Sequence, residues 1–210
     1  MNSTWVLTLT TLGVVTTASL VAYSLARFEY RGRDILFFLT LATIMLPAQV
    51  TLIPQFVLFY KMQWINTLLP LWVPAWFGGG AFAIFLMRQF LRTLPKDLDE
   101  AALIDGAGFF RIFWSILLPL CKPVLATLAI ITVIDSWSDF QGPLIYLNSP
   151  EKFTVSIGLQ FFNQSPDVGG EPVRHLLMAA CVLSIIPMMA IFFMGQRFFV
   201  QGIVMSGIKG

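Results

Sequence analysis

Charge is what this chain has least of. Asp, Glu, Lys and Arg make up 11% of its 210 residues, against about 25% in a soluble domain. A soluble protein needs a polar exterior that this composition cannot supply. A bilayer removes the need, because lipid solvates an apolar surface. Histidine is nearly absent, with His175 alone, so a His-rich metal cluster is excluded. Cys121 and Cys181 sit in or beside apolar runs, far from any C-x-x-C or zinc spacing. They read as small packing residues rather than a disulfide or metal ligands. No G-x-x-x-x-G-K-S/T phosphate loop occurs, so any ATP this protein uses must be bound by another chain, and no cofactor is assigned to this one. The net charge of +2 points to neither nucleic acid nor an acidic substrate.

What is present in abundance is apolar sequence, 57% of the residues. A membrane-crossing helix needs about 20 mostly apolar residues. Five stretches qualify: Trp5–Ala26, Ile35–Tyr60, Asn66–Met87, roughly Leu120–Leu144, and His175–Gln196. The second carries Pro47, Pro54, Gln49 and Gln55; with Asn148 the glutamines are lesser candidates for lining a path, against the plainer expectation that they cap carbonyls freed by a kink. The third contains Gly78–Gly80, which with the small residues of the first favours close helix packing. The fourth is unusual in holding Asp135 and Asp139. The expected fold is an all-α membrane protein, one transmembrane domain over 1–210, with no fixed-period repeat.

Positive charge orients the spans. If they alternate, Arg27, Arg31, Arg33, Arg88, Arg92, Lys96, Arg111, Lys122, Arg197 and Lys209 share one side, and only Lys61, Lys152 and Arg174 take the other. The richer side should be cytoplasmic, with the N-terminus outside and the C-terminus inside. Met1–Thr4 has no positive n-region, so this is not an ordinary signal peptide. Either one preceding span is missing or the first span inserts in reverse. Two polar connections are long: 91–119 inside and 145–174 outside. In the second, "FTVSIGLQFF" has β character and reads as a short strand or an interfacial segment.

The inside connection holds Asp97, Asp99, Glu100 and Asp105, four of the eleven acidic residues. Pro95 suits a first helical turn, and acidic residues are favourable there. Leu94, Leu98, Ala101 and Ala102 share a face at helical spacing. Gly106 and Gly108 allow a sharp turn, after which "FFRIFWSILL" resumes as an aromatic interfacial stretch. A short helix, a turn and a second helix are expected, with an acidic, small-residue face exposed. Such a face is poor for lying on an anionic leaflet. It suits docking of a soluble partner.

These residues carry a resemblance. Glu100, Ala101, Ala102, Gly106, Ile116, Leu118 and Pro119 fit E-A-A, three residues, G, nine residues, I, one residue, L-P. That motif marks the permease subunits of bacterial ATP-binding-cassette importers. "LPKDLDEAALIDGAG", "SLARFEYRGRD", "SWSDF" and the terminal "GIVMSGIKG" resemble the carbohydrate branch, the maltose-type second permease. The resemblance implies a six-span fold whose first span this chain lacks, a second permease subunit, two copies of a cytoplasmic ATPase, and an extracytoplasmic sugar-binding protein. It also implies that 97–106 forms the coupling helix. Glu100 and Asp105 would face the ATPase, Ala101 and Ala102 would give clearance, and Gly106 the turn. The tail, Ser206, Gly207, Lys209 and Gly210, would reach between the ATPases, against the alternative of a frayed end.

Asp135, Trp137, Ser138 and Asp139 are candidates for the translocation path. Carboxylates facing lipid are costly, so both should face water or a partner helix. Four residues apart, they fall on one helix face. "WSDF" resembles the family's W-N-D/E-F, with Ser138 in place of Asn. A Trp137 face beside carboxylates suits a sugar; the plainer alternative has Asp139 capping a helix end. Two other classes compete. A proton-coupled secondary transporter would use Asp135 and Asp139 as its relay but leaves the E-A-A motif unexplained. An intramembrane aspartyl enzyme would need its pair on different helices.

Overall fold

A 26-residue helix, α1 (Asn2–Arg27), runs through the middle of the computed structural model. The model describes residues 1–164 and 174–207, with side chains placed for 1–163 and 174–196. The helix carries no charge before Arg27 and spans about 39 Å at 1.5 Å per residue. Its small residues do the packing: Ala18 and Ala22 are fully buried, and Gly13 lies under the Trp76 ring.

After α1 come α2 (Arg33–Ala42) and α3 (Ala48–Lys61), joined through a 3-10 turn at Thr43–Met45. The expected single span Ile35–Tyr60 is in fact two helices bent by 99° at Pro47. Proline removes a donor and crowds the preceding turn, so the helix stops and restarts. Gln49 and Gln55 are exposed and hydrogen-bond no freed carbonyl among the described residues, which corrects their expected capping role.

The third span combines α4 (Leu69–Trp72), a 3-10 turn at Val73–Trp76, the Gly78–Gly80 bend and α5 (Ala81–Thr93). Its irregular half leans on α1. Trp76 Nε1 donates to Leu9 O at 3.1 Å, and Thr17 Oγ1 donates to Ala75 O at 3.2 Å. A Cβ on Gly79 would sit 2.7 Å from Val14 O and 2.8 Å from the Ala18 Cβ. The glycine therefore allows main chain to lie against main chain, as close helix approach in membranes requires.

Next are α6 (Asp97–Ile104), α7 (Phe109–Ile112), a π turn at Phe113–Leu117 and the single turn α8 (Leu118–Leu120). Helix α9 (Lys122–Ser138) then departs at 77° to the 109–120 segment. The fourth span is shorter than expected: it ends at Ser138, and Asp139 is extended. Helix α10 (Gln141–Tyr146) is separate. "FTVSIGLQFF" is not a strand. It forms α11 (Val155–Gln164), and no strand occurs among the described residues. Val, Thr and Phe favour strands only where a pleated neighbour exists to pack on. Here Ser3 Oγ of α1 instead accepts the Val155 N–H at 2.8 Å, and Ile157 is buried.

Helix α12 (Arg174–Gly207) closes the chain against α9. The two cross closely at Gly195, where any Cβ would collide with the Ile130 side chain. By length and composition, Asn2–Arg27, Leu69–Thr93 and Arg174–Gln196 can each cross a membrane, and the count reaches five if each bent pair is one span.

At the Asn2 end of α1, one residue ties two connections together. Asn66 has φ +60°. Its Oδ1 accepts the N–H groups of Asn148 and Ser149, each at 3.1 Å, and its Nδ2 donates to Ser149 Oγ at 2.8 Å. Its own N–H donates to Tyr146 O at 2.7 Å, while Lys152 Nζ donates to its carbonyl. Asn2 Nδ2 adds a bond to Glu151 O at 2.7 Å.

Candidate functional site

Two features gather the candidate residues: an elbow at the Arg27 end of α1 and a cleft along its length.

The elbow begins where α5 stops. Leu94 is extended, Lys96 is the N-cap of α6, and its carbonyl accepts the N–H groups of Asp99 and Glu100. Pro95 thus lies outside the first turn rather than in it. Asp97, Asp99 and Glu100 occupy that turn, where carboxylates complement the unpaired N–H groups. The other end closes as a Schellman motif. Gly106 takes φ +79°, its N–H donates to Leu103 O at 3.0 Å, and the Ala107 N–H donates to Ala102 O at 2.9 Å. An L-residue rarely adopts that backbone, which accounts for the glycine.

The exposed surface of α6 differs from expectation at two points. Glu100, Ala101, Asp105 and Gly106 face outward as expected. Ala102 does not: it is 6% exposed and packs into the core, because it belongs to the turn that closes on Ala107. Ile104, at 87% exposure, supplies the apolar surface instead. Asp99 also turns inward, where its Oδ2 lies 3.1 Å from Arg27 Nε. The two groups are in contact but not aligned as a hydrogen bond, so charge and proximity hold them. Burial pushes the Asp99 carboxyl above its usual range, and Arg27 opposes that shift. The motif's later residues return to the bundle: Ile116 and Leu118 pack against the core, and Pro119 is exposed. Phe109, Phe110 and Trp114 remain exposed beside them, consistent with an interfacial segment.

The cleft lies between α1, the Leu71–Ala83 segment and α9, and encloses about 440 Å³. Thr10, Thr132, Asp135, Ser136 and Asp139 give it a polar stripe on otherwise apolar walls. Asp135 and Asp139 thus share one cavity, although Asp139 has left the helix. Asp139 also lines a neighbouring cleft of about 310 Å³ with Gln55 and Gln141. Its Oδ1 accepts the Gly142 N–H at 3.1 Å, capping the first turn of α10, so it has a structural role whatever else it does. Trp137 is not among the residues that line this cleft, and its Nε1 donates to Ser184 O of α12 at 3.1 Å. Ser138 is exposed, and Ser136 is the serine that lines the cleft.

Of the tail, Lys209 and Gly210 lie outside the described residues, as do the side chains of Ser206 and Gly207. No cluster of metal-ligating residues occurs among the described residues. Three contributors escaped the sequence reading. Thr10 and Thr132 looked like ordinary small residues, and Arg27 was noticed only as an orienting charge and as part of "SLARFEYRGRD".

A helical membrane bundle with an amphipathic elbow and a polar-striped cleft defines an integral transport subunit. The chain belongs to the family of binding-protein-dependent transport system inner membrane components, which it matches over residues 14–205. It is similar to the arabinooligosaccharides transport system permease protein AraQ of Halalkalibacterium halodurans, 35% identical over 213 residues, covering all of this chain and 73% of that protein. The sn-glycerol-3-phosphate transport system permease protein UgpE of Yersinia enterocolitica is 36% identical over 197 residues, covering 93% and 68%. The fold matches a crystal structure of a bacterial ABC transporter involved in the import of the acidic polysaccharide alginate, with a TM-score of 0.82 at 25% identity, covering 94% of this chain and 73% of that one. The chain is a permease subunit of a binding-protein-dependent importer, not an enzyme.

Proposed function

We propose that this permease serves an ATP-driven importer of neutral oligosaccharides. In this reading it forms half of the translocation path with a second permease. Two copies of a separate ATPase drive it, and an extracytoplasmic binding protein delivers the sugar. The elbow is cytoplasmic, the N-terminus of this chain is outside and the C-terminus inside. Glu100, Ala101, Ile104 and Asp105 form the surface offered to the ATPase groove, and the tail approaches the ATPases.

The observation that carries the cargo assignment is the polar stripe of the cleft. Two carboxylates in a largely apolar cavity raise the cost of passing an anion. Hydroxyls of a neutral sugar instead donate to carboxylates and exchange with threonine and serine. Among the cargoes named for the relatives, an oligosaccharide fits this better than a phosphate ester. The proton-coupled alternative is not favoured, because it gives the elbow no work and the family is one of binding-protein-dependent systems.

The test is uptake by proteoliposomes holding the complete transporter, with ATP inside and binding protein outside. Uptake of labelled arabino-oligosaccharide that requires ATP and survives collapse of the proton gradient is expected. Uptake that stops with the gradient while ATP persists defeats the proposal, and preference for glycerol 3-phosphate defeats the cargo assignment.

A further inference from the structure

The segment "SLARFEYRGRD" follows the first span, and nothing in the coupling surface or the cleft uses it. The structure gives it a place. Arg27, in the last turn of α1, reaches across the elbow: its Nη2 donates to Leu94 O at 3.2 Å, ahead of α6, and its Nε touches Asp99 within α6. The Arg27 and Asp99 side chains are only 7% and 17% exposed. One turn earlier, the Tyr23 hydroxyl donates to Phe109 O at 3.1 Å, beyond the Gly106 turn. The last two turns of α1 therefore hold the elbow before, within and after its bend. A guanidinium suits this task because its planar fork serves a carbonyl and a carboxylate at once, which an ammonium cannot do in fixed geometry.

A second grip anchors the same end of α1 to its neighbours. Arg88 of α5 is 5% exposed, and its Nε donates to Leu25 O at 3.1 Å. Its guanidinium lies 3.8 Å over the Phe37 ring of α2. At its other end, α1 walls the cleft with Val6, Thr10 and Val14. One continuous helix thus joins the elbow to the cavity, with a partly buried ion pair at the joint.

We propose that Arg27 is a positioning residue that yokes the elbow to α1 through Asp99, so that displacement of α6 moves the wall of the cleft directly. Without the yoke, a push on α6 reaches the spans through the apolar contact of Ala102 with the core and through its covalent connections, Leu94–Lys96 and Asp105–Gly108. Neither route joins α6 to α1 through paired charges, as the Arg27–Asp99 contact does. The proposal rests on the importer reading above.

The test uses the complete transporter, purified with its ATPase and reconstituted with binding protein. The readout is labelled oligosaccharide taken up per ATP hydrolysed. Asp99→Asn keeps the shape and removes the charge, so uptake per ATP is expected to fall about tenfold while the subunit still accumulates and co-purifies with the ATPase. Arg27→Asp should be as poor, and the exchange Arg27→Asp with Asp99→Arg should restore part of the ratio. Unchanged uptake per ATP in Asp99→Asn overturns the proposal. So does failure of that variant to accumulate, since the pair would then serve folding alone. A wild-type assembly with no ATP-dependent uptake defeats the importer reading instead, which keeps the two failures apart.

Discussion

Replacing Gly106 separates the geometry of the elbow from its bulk. A Cβ there meets nothing within 4 Å, so any effect is conformational rather than steric. The relevant quantity is φ +79°. Forcing an L-residue into the left-handed region costs about 1–2 kcal/mol, more for a β-branched one and less for asparagine. A cost of that size shifts the balance between the closed Schellman turn and a frayed end about 5- to 30-fold. The order of coupling efficiency should therefore be glycine, asparagine, alanine, valine. The assay is uptake per ATP hydrolysed in proteoliposomes, with accumulation in the membrane as the control. Accumulation should stay level across the series, because Gly106 is exposed and a side chain there meets no core residue. Valine coupling as well as glycine would refute the reasoning. So would asparagine failing as badly as valine, because bulk rather than backbone conformation would then decide.

Three further outcomes are expected. Gly79→Ala places a Cβ against Val14 O and Ala18 in a residue at φ +70°. It should lower the thermal midpoint of the purified subunit sharply, with a cost of about 2–4 kcal/mol when overpacking and backbone strain combine. Asp139→Ala loses the cap on Gly142 and should cost about 1 kcal/mol, whereas Asp139→Asn keeps an acceptor and most of the stability. Equal melting of the two would dispose of the capping role. Trp137→Phe breaks the bond to Ser184 O and should cost about 1 kcal/mol of stability while the sugar concentration for half-maximal uptake stays unchanged. A large rise in that concentration would return Trp137 to the ligand.

Apolar length and the spacing of Glu100, Ala101, Ala102 and Gly106 were legible because each depends on local chemistry. Lipid solvation needs about 20 apolar residues whatever the neighbours, and a left-handed turn favours glycine wherever it occurs. Features fixed by distant contacts were not legible. The start of the helix Val155–Gln164 is tied to Ser3, more than 150 positions earlier. The inward turn of Ala102 follows from the way α6 closes on Ala107. The bond from Trp137 to Ser184 O depends on α12, which the local sequence around Trp137 does not reveal. The 99° bend at Pro47 lay between the two cases: proline announces a break, but its angle is set by packing.

Asn66 leaves none of its main hydrogen-bonding groups idle, and its partners lie on the far connection at Tyr146–Lys152. The two connections at that end are consequently tied to one another through a single side chain and its own main chain. In the proposed importer, cargo arriving at that end would meet two connections that one side chain already ties together, and the jointed helices would carry the rearrangement.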